Sequence, residues 1–413
     1  MQFLQHLDRG RIWFLIILLT AASFPWSERL NSVGIVLLLI HWLSDMQLLT
    51  KIRSIRWDKP FIICWSFFLL HVLALLWSDY PGIGYKTIEV KLVFLLLPLF
   101  FSTENHMDKE RWKILLFVFT ISCLLSFLYL CGYSFVHYRQ LGFGMMFKRM
   151  YISYGLMHPG YYSNYIALAI TGAMLYLIGS RNKDKPYRIF YTISILVLLL
   201  TLILMASKTT LIYIGILAIY TLWLFSSFIQ QISYRIGAFV LMCLIAGTAI
   251  VLSPPIQVRI QEMFQDAQAV NKQTAIANST ASRIIAWDVS MDLIGKKWLS
   301  GYGTGAADTV LRMEMAKQGY QALSKDMSAH NQWLRTWLNV GLSGVFLLIA
   351  FFVFIALDCL RKRKHAGLWM LLLIAINLFT DDMLEIQAGI VFFLFFMTLI
   401  LYSGKRRLKG YYS

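Results

Sequence analysis

Residues 190–206, FYTISILVLLLTLILMA, are apolar on every side of a helix. A run of this kind has about the length that a helix needs to cross the roughly 30 Å hydrocarbon core of a bilayer. Strands of a membrane barrel would instead alternate in polarity, and a surface helix of a soluble domain would keep one polar face. The segment therefore predicts a membrane-spanning α-helix.

Similar apolar runs recur along nearly the whole chain of 413 residues, of which 58% are hydrophobic and only 14% are charged. Such a chain cannot form the half-polar surface of a soluble domain over most of its length. We therefore predict an all-α polytopic membrane protein with about twelve transmembrane helices. The predicted spans are residues 12–26, 30–49, 60–77, 87–102, 112–135, 160–180, 188–206, 209–229, 236–254, 332–357, 367–380 and 387–404.

The formal charge of +17 arises largely from short basic linkers between the apolar runs. If these linkers are cytoplasmic, they hold 22 of the 38 lysines and arginines, which agrees with the positive-inside rule. This distribution argues against nucleic acid as a partner. Twelve spans would leave both termini cytoplasmic, although TAAS at residues 20–23 also resembles a signal-peptide cleavage region.

The predicted spans divide the chain into three parts. Residues 1–254 hold the first nine spans, with an outside element near 136–159 whose aromatic and basic residues suit the membrane interface. Residues 255–331 form one long outside loop, and residues 332–413 hold the last three spans and a basic cytoplasmic tail. Amphipathic spacing predicts two helices in the loop, the first capped by Ser282. The loop is too small to have its own core, so we expect it to pack on the bundle.

His330 and Asn331 stand just before the tenth predicted span, in the stretch HNQWLRTWLNVGLSG. A neutral histidine at a membrane surface can take a proton from a hydroxyl group, and Asn331 could orient the ring or bind substrate. The alternative is a polar cap at the membrane interface with no chemical role.

Three cations are candidates for binding an anion on the same side. Arg283 is predicted to open the first loop helix, where a guanidinium and free N–H groups make an anion site. Lys208 lies in a tight break between two apolar spans, and an ammonium there needs a partner. Arg259 follows the ninth span. The ordinary alternatives are an ion pair of Arg283 with Asp288, a snorkelling Lys208 and an ion pair of Arg259 with Glu262.

Other features favour structural interpretations. His158 and Pro159 precede a span, so capping is favoured over catalysis by His158, which is also a candidate for binding substrate. The glycines of GYGTG, residues 301–305, lack the context of a nucleotide loop and favour a tight turn. The acidic DDMLE, residues 381–385, is predicted to be a solvated turn. No His, Asp or Glu set has metal-ligand spacing along the chain and the five cysteines suit packing, so we predict no metal and no cofactor.

Taken together, the number of spans, the late outside loop and its motifs resemble the O-antigen ligase family. The motifs are the SR pair that ends at Arg283, the later GYGTG, and the HN pair that begins at His330 and leads to GLSG. The resemblance implies that His330 acts as base on an acceptor hydroxyl and that Arg283 engages a donor diphosphate. The family typically has a further SR pair between two central spans, where this chain has Ser207 and Lys208. Since the bidentate fork is lost there, Arg259 becomes a stronger candidate for binding the diphosphate.

The resemblance implies a glycosyltransferase of the bacterial inner membrane, with its active site in the periplasm and membrane lipids around it. Its donor would be an undecaprenyl-diphosphate-linked glycan and its acceptor the lipid A core, joined by a metal-independent inverting reaction. An O-antigen polymerase or a protein O-oligosaccharyltransferase would share the same motifs. A transporter or flippase of lipid-linked glycans is the alternative from another class, but most of the charges singled out lie at helix ends rather than at mid-membrane.

Overall fold

The computed structural model describes residues 8–46, 48–138, 156–179, 185–205, 208–226, 279–321 and 325–403, together with residues 233, 236, 237 and 240. Four predicted features therefore lie wholly or mainly outside the described residues. They are the interfacial element near 136–159, the ninth span at 236–254, the start of the long loop at 255–278, which includes Arg259, and the basic tail at 404–413.

Throughout the described residues the chain is α-helical, with two short 3₁₀ turns and no β-strand. The helices are α1 (Arg9–Ser23), α2 (Glu28–Leu43), α3 (Leu48–Arg53), α4 (Lys59–Leu73), α5 (Pro81–Lys91), α6 (Val93–Thr103), α7 (Lys109–Tyr138), α8 (Pro159–Gly179), α9 (Lys185–Met205), α10 (Lys208–Ser226), α11 (Ser279–Lys296), α12 (Ala307–Lys317), α13 (Gln332–Arg361), α14 (His365–Leu378) and α15 (Gln387–Tyr402). The 3₁₀ turns are Ala74–Trp77 and Met383–Glu385.

Five of the described helices are long and apolar enough to cross a membrane, which confirms an all-helical membrane architecture. They are Lys59–Trp77, Lys109–His137, Pro159–Gly179, Lys185–Leu202 and Gln332–Arg361. Shorter apolar helices cover Ile212–Leu222, His365–Leu378 and Gln387–Tyr402. The predicted span 87–102 is divided between α5 and α6, which meet at Leu92. The count of twelve spans stays a prediction.

The core of the bundle is aromatic and aliphatic, and it surrounds α15. Almost every side chain of α15 is buried, because α15 packs against α2, α6, α13 and α14. Phe24, Tyr165 and Phe392 form part of this core through ring contacts of 4.6–5.6 Å. The position of α15 at the centre places the turn before it, residues 379–386, beside the beginning of α13.

The predicted span 332–357 is wrong as a single straight helix, because α13 reverses direction at Gly341 (φ 69°, ψ −164°). The Trp333 and Phe352 ring centroids are 6.1 Å apart, whereas residues so placed in one straight helix would be about 28 Å apart. A first limb, residues 332–340, therefore folds back along a second, apolar limb, residues 342–361. The second limb alone has about the 30 Å length of a membrane crossing.

The glycine-rich loop between α11 and α12 packs against this reversal. The N–H groups of Tyr302 and Gly303 donate to the carbonyl oxygens of Leu338 (2.7 Å) and Asn339 (2.9 Å). The side-chain oxygen of Asn339 accepts from Gly305 N at 3.2 Å. Gly301, Gly303 and Gly305 all have positive φ, which confirms that GYGTG is a tight turn. Three of its N–H groups, those of Tyr302, Gly303 and Gly305, are thus bound to α13 rather than turned to a ligand.

We expect Gly341→Ala to destabilise the protein by roughly 2 kcal/mol or more, since a non-glycine residue is strained at this φ. A Cβ at Gly341 would also lie 2.0 Å from the carbonyl oxygen of Leu299. Thermal melting of detergent-solubilised protein, followed by size-exclusion chromatography, measures the effect. Gly295→Ala is the matched control, because a Cβ there meets nothing within 4 Å. Equal melting temperatures for the two variants would contradict this account of the reversal.

Candidate functional site

His330 lies immediately before the first limb of α13, with a left-handed backbone conformation (φ 42°). Residues other than glycine rarely adopt such a conformation, and it persists where the surroundings hold it. The next residue, Asn331, is the helix N-cap: its Oδ1 accepts from the N–H groups of Trp333 (3.0 Å) and Leu334 (3.2 Å). Asn331 Nδ2 also donates to Phe379 O at 3.2 Å. Capping is therefore confirmed for Asn331, while its predicted contact with substrate stays a prediction.

His330 faces a carboxylate from the turn between α14 and α15. The distance from His330 Nδ1 to Asp381 Oδ1 is 3.8 Å, which is within ion-pair range but too long for a hydrogen bond. The side chains remain 33% and 24% exposed, respectively. Among the described residues, His330 Nδ1 is buried without a hydrogen-bond partner. The carboxylate of Asp381 thus faces Nδ1 of the His330 ring. A small movement of the ring would bring Nδ1 within hydrogen-bond distance of Asp381 Oδ1.

Asp381 is an anion at neutral pH. Burial alone would raise the pKa of its carboxyl, but His330, the Asp382 side chain and the charge of Arg283 together lower that pKa below its usual value. The carboxylate can therefore stabilise a positive charge that forms on the imidazole.

The rest of the acidic turn is buried, so the prediction of a solvated DDMLE turn is wrong. Asp382 and Glu385 are each only 3% exposed at the side chain. Arg335 of α13 binds Asp382 and also Asp308 of α12, the latter at 2.6 Å. The turn can be buried because its carboxylates have cationic partners within the bundle.

Arg283 lies within α11, since the helix includes Ser279 and extends beyond the predicted cap at Ser282. Its positive charge contributes to the lowered pKa of Asp381, and Trp287, one helical turn later, donates to Ala329 O beside His330, so this end of α11 lies near the site. No carboxylate among the described residues forms an ion pair with Arg283, and the alternative pair with Asp288 is not formed. Within the described part of the chain, the guanidinium is thus left without a carboxylate partner.

The packing of α11 brings the helical turn after Arg283 against the segment before His330. Trp287 Nε1, one turn after Arg283, donates to Ala329 O at 2.9 Å, so α11 is bound to the residue just before His330. Ile285 and Val289 are buried in a small core that also includes Ala329 and Leu338 of the α13 region. The described part of the loop, residues 279–321 and 325–331, thus has a small buried cluster of its own, which Leu338 of the first limb of α13 completes.

The remaining predicted residues are placed less completely. Lys208 begins α10, and its side chain lies outside the described part of the structure. The adjacent Thr209 Oγ1 donates to Asn377 Oδ1 at 3.1 Å, which brings the start of α10 near Asp381. His158 Nδ1 accepts from Gly160 N at 3.2 Å, so capping of α8 is supported over a chemical role.

Within the described ranges, the fold also brings together a set of residues with metal-ligand chemistry that spacing along the chain did not indicate. Ligand atoms of His330, Asp381 and Asp382 lie within 4.8 Å of one another. One nitrogen and two carboxylate oxygens suit a divalent cation by type. However, Arg335 already binds Asp382, and the charge of Arg283 also reaches the set, so a further cation would meet two positive groups. Metal independence stays a prediction.

Sequence reasoning missed Asp381, Asp382 and Arg335 as site residues. The sequence feature that could have indicated them is the pair Asp381 and Asp382. These two acidic residues lie between two apolar spans, on the predicted outside surface.

The fold and this site define a polytopic helical membrane protein in which a histidine, a carboxylate and an available arginine converge at one end of the bundle. The sequence profile of the O-antigen ligase family matches residues 193–349, and the match confirms the resemblance that the motifs indicated. The matched region contains Lys208, Arg283 and His330. No curated protein matches the chain. The family implies a membrane glycosyltransferase of the O-antigen ligase or polymerase type.

Proposed function

We propose that this protein transfers a glycan from undecaprenyl diphosphate to a hydroxyl group of the lipid A core at the periplasmic face of the bacterial inner membrane. The observation that carries the proposal is the convergence of His330, Asp381 and Arg283 at one end of the bundle. The basic residues Arg361–Lys364 end the other limb of α13, away from His330, which supports a periplasmic site by the positive-inside rule.

In the proposed reaction the acceptor oxygen attacks the anomeric carbon of the donor glycan. The bond from that carbon to the phosphate oxygen breaks, and undecaprenyl diphosphate leaves with the bonding electron pair. His330 takes the hydroxyl proton and later releases it to water. A single displacement of this kind inverts the anomeric configuration.

Arg283 and Asp381 have different roles in the proposal. Arg283 neutralises the charge that develops on the departing diphosphate, and its planar fork suits two phosphate oxygens. Asp381 stabilises the imidazolium that His330 becomes after proton transfer. Lys208 and Arg259 are proposed further contacts to the diphosphate, and Asn331 is a proposed contact to the sugars.

The test is a reconstituted reaction with purified protein, lipid-linked glycan and lipid A core oligosaccharide, with products identified by mass spectrometry. Lipid A core carrying the glycan supports the proposed ligase. Longer glycans still linked to undecaprenyl diphosphate would identify a polymerase, and glycosylated serine or threonine in an added peptide would identify a protein transferase. Movement of intact donor across liposomes without any transfer would identify a flippase.

We expect transfer to continue in excess EDTA at a rate within about twofold of that with Mg²⁺ or Mn²⁺, because protein cations can neutralise the leaving diphosphate. Initial rates at matched ionic strength measure this. A loss of transfer in EDTA that is reversed by one added divalent cation would instead assign His330, Asp381 and Asp382 as metal ligands.

A further inference from the structure

Lys91 at the end of α5 is fully buried, with a side-chain exposure of 0%. Its ammonium donates to Glu385 Oε1 at 2.6 Å and to Leu384 O at 3.4 Å. A buried ammonium is unfavourable without such partners. Since neither Lys91 nor Glu385 has a role in the proposed chemistry, the presence of this pair needs another explanation.

Glu385 connects Lys91 to the limb that begins beside His330. The same Oε1 that binds Lys91 accepts from Gln332 Nε2 at 3.0 Å, and Gln332 Oε1 accepts from Leu384 N at 2.9 Å. Both ends of the Gln332 amide are therefore bound to the acidic turn. Because Gln332 is only two residues after His330, this contact limits how far the histidine backbone can move.

A second attachment lies one helical turn further along the limb. Arg335 binds Asp382, and its Nε is 4.0 Å from Glu385 Oε2. Burial alone would raise the pKa of Glu385, but the charges of Lys91 and Arg335 lower it to about 2. The glutamate is thus an anion held between two cations, one from α5 and one from the limb.

These contacts connect both halves of the proposed site. His330 immediately precedes the first limb of α13, and Asp381 is the first residue of the acidic turn. The 3.8 Å distance between His330 Nδ1 and Asp381 Oδ1 therefore depends on how the limb and the turn are joined. Buried ion pairs contribute little net stability compared with apolar residues of similar size, but they favour one arrangement over others. A shift of about 1 Å in a reacting group is enough to reduce a rate strongly.

We infer that Lys91, through Glu385, is a positioning residue that sets the placement of His330 against Asp381. Lys91 does not touch the reacting atoms. The catalytic part of this inference rests on the proposed function, but the geometry of His330 can be measured without any substrate.

The experiment compares wild type with the double variant Lys91→Met/Glu385→Gln, which removes both charges and keeps an amide that can bond Gln332. We expect kcat for glycan transfer to fall at least about tenfold, while the donor KM stays within about threefold. Should the double variant fail to fold, Lys91→Met alone is used with the same expected change, because Glu385 then keeps Arg335 and Gln332 as partners.

The matched control is Lys51→Met/Glu104→Gln. Lys51 and Glu104 form another buried ion pair, with side chains 8% and 9% exposed, between α3 and the end of α6. The control removes the same two charges from the protein away from the site, so we expect kcat within about twofold of wild type. A loss in the control as large as in the Lys91 variant would show that any buried pair has this effect and would overturn the inference.

A second readout follows His330 directly. Diethyl pyrocarbonate modifies accessible imidazoles, and peptide mass spectrometry gives the modification rate of His330 relative to exposed His158 in the same molecule. We expect this ratio to change at least about threefold in the Lys91/Glu385 variant and to stay constant in the Lys51/Glu104 control. An unchanged ratio together with kcat within twofold of wild type overturns the inference. If wild type transfers no glycan, the proposed function fails, and the modification ratio alone decides whether Lys91 positions His330.

Discussion

His330→Asn is expected to reduce glycan transfer by about 10²–10⁴-fold, because a general base contributes a factor of that size. Asparagine is the appropriate replacement, since His330 has a φ of 42° and asparagine tolerates this left-handed conformation better than alanine. The fold should therefore survive while the proton acceptor is lost. Initial transfer rates under saturating donor and acceptor, with melting temperatures measured in parallel, test this expectation.

The control for His330 is His158→Ala. His158 is exposed at the start of α8 and accepts a hydrogen bond from Gly160 N, so its loss removes a capping contact and no proton acceptor. We expect its kcat to remain within about threefold of wild type. Transfer by the His330 variant at a rate near that of the His158 variant would remove His330 from the mechanism and leave it as an interfacial residue.

Arg283→Gln is expected to lower kcat by about 10²–10³-fold, the usual effect of removing one group that stabilises developing negative charge. Arg283→Lys should recover part of the rate, because the charge returns without the bidentate fork. Glutamine keeps much of the side-chain length and polarity, so α11 should still pack through Trp287 and its apolar face. Single-turnover rates with the lipid-linked donor separate this effect from product release.

Asp288→Asn distinguishes the two interpretations of Arg283. If the arginine were needed for an ion pair with Asp288, removing that carboxylate would reproduce the loss seen in Arg283→Gln. The structure has Asp288 exposed on α11 and without an ion pair to Arg283, so we expect Asp288→Asn to transfer at nearly the wild-type rate. Similar losses in both variants would contradict a direct role for Arg283 at the diphosphate.

Local patterns predicted the features that depend on nearby residues. The spacing around Trp287 predicted a helix, and α11 is present, although Ser282 is not its cap. The glycines at 301, 303 and 305 predicted a tight turn, and each has the positive φ that only glycine adopts without strain. His330 was placed correctly at a helix start because Asn331 is an N-cap residue.

Features that depend on residues far apart in the chain were not predictable in the same way. A hydropathy pattern continues unchanged through Gly341, so residues 332–357 looked like one span although the backbone reverses within them. The acidic turn at 381–385 looked solvated because its partners, Lys91 and Arg335, come from other helices. For the same reason the sequence did not identify Asp381 as the carboxylate that faces His330.

The amino-acid sequence by itself determined that this protein is a helical membrane bundle with a histidine and an arginine as candidate reactive groups, since apolar length, charge bias and short motifs are local properties. Only the tertiary structure decided that His330, Arg283 and Asp381 share one site, that α13 folds back on itself, and that Lys91 is neutralised inside the bundle. Those results depend on which helices pack together, because a charged side chain is buried only where the packing places an opposite charge or a hydrogen-bond partner beside it.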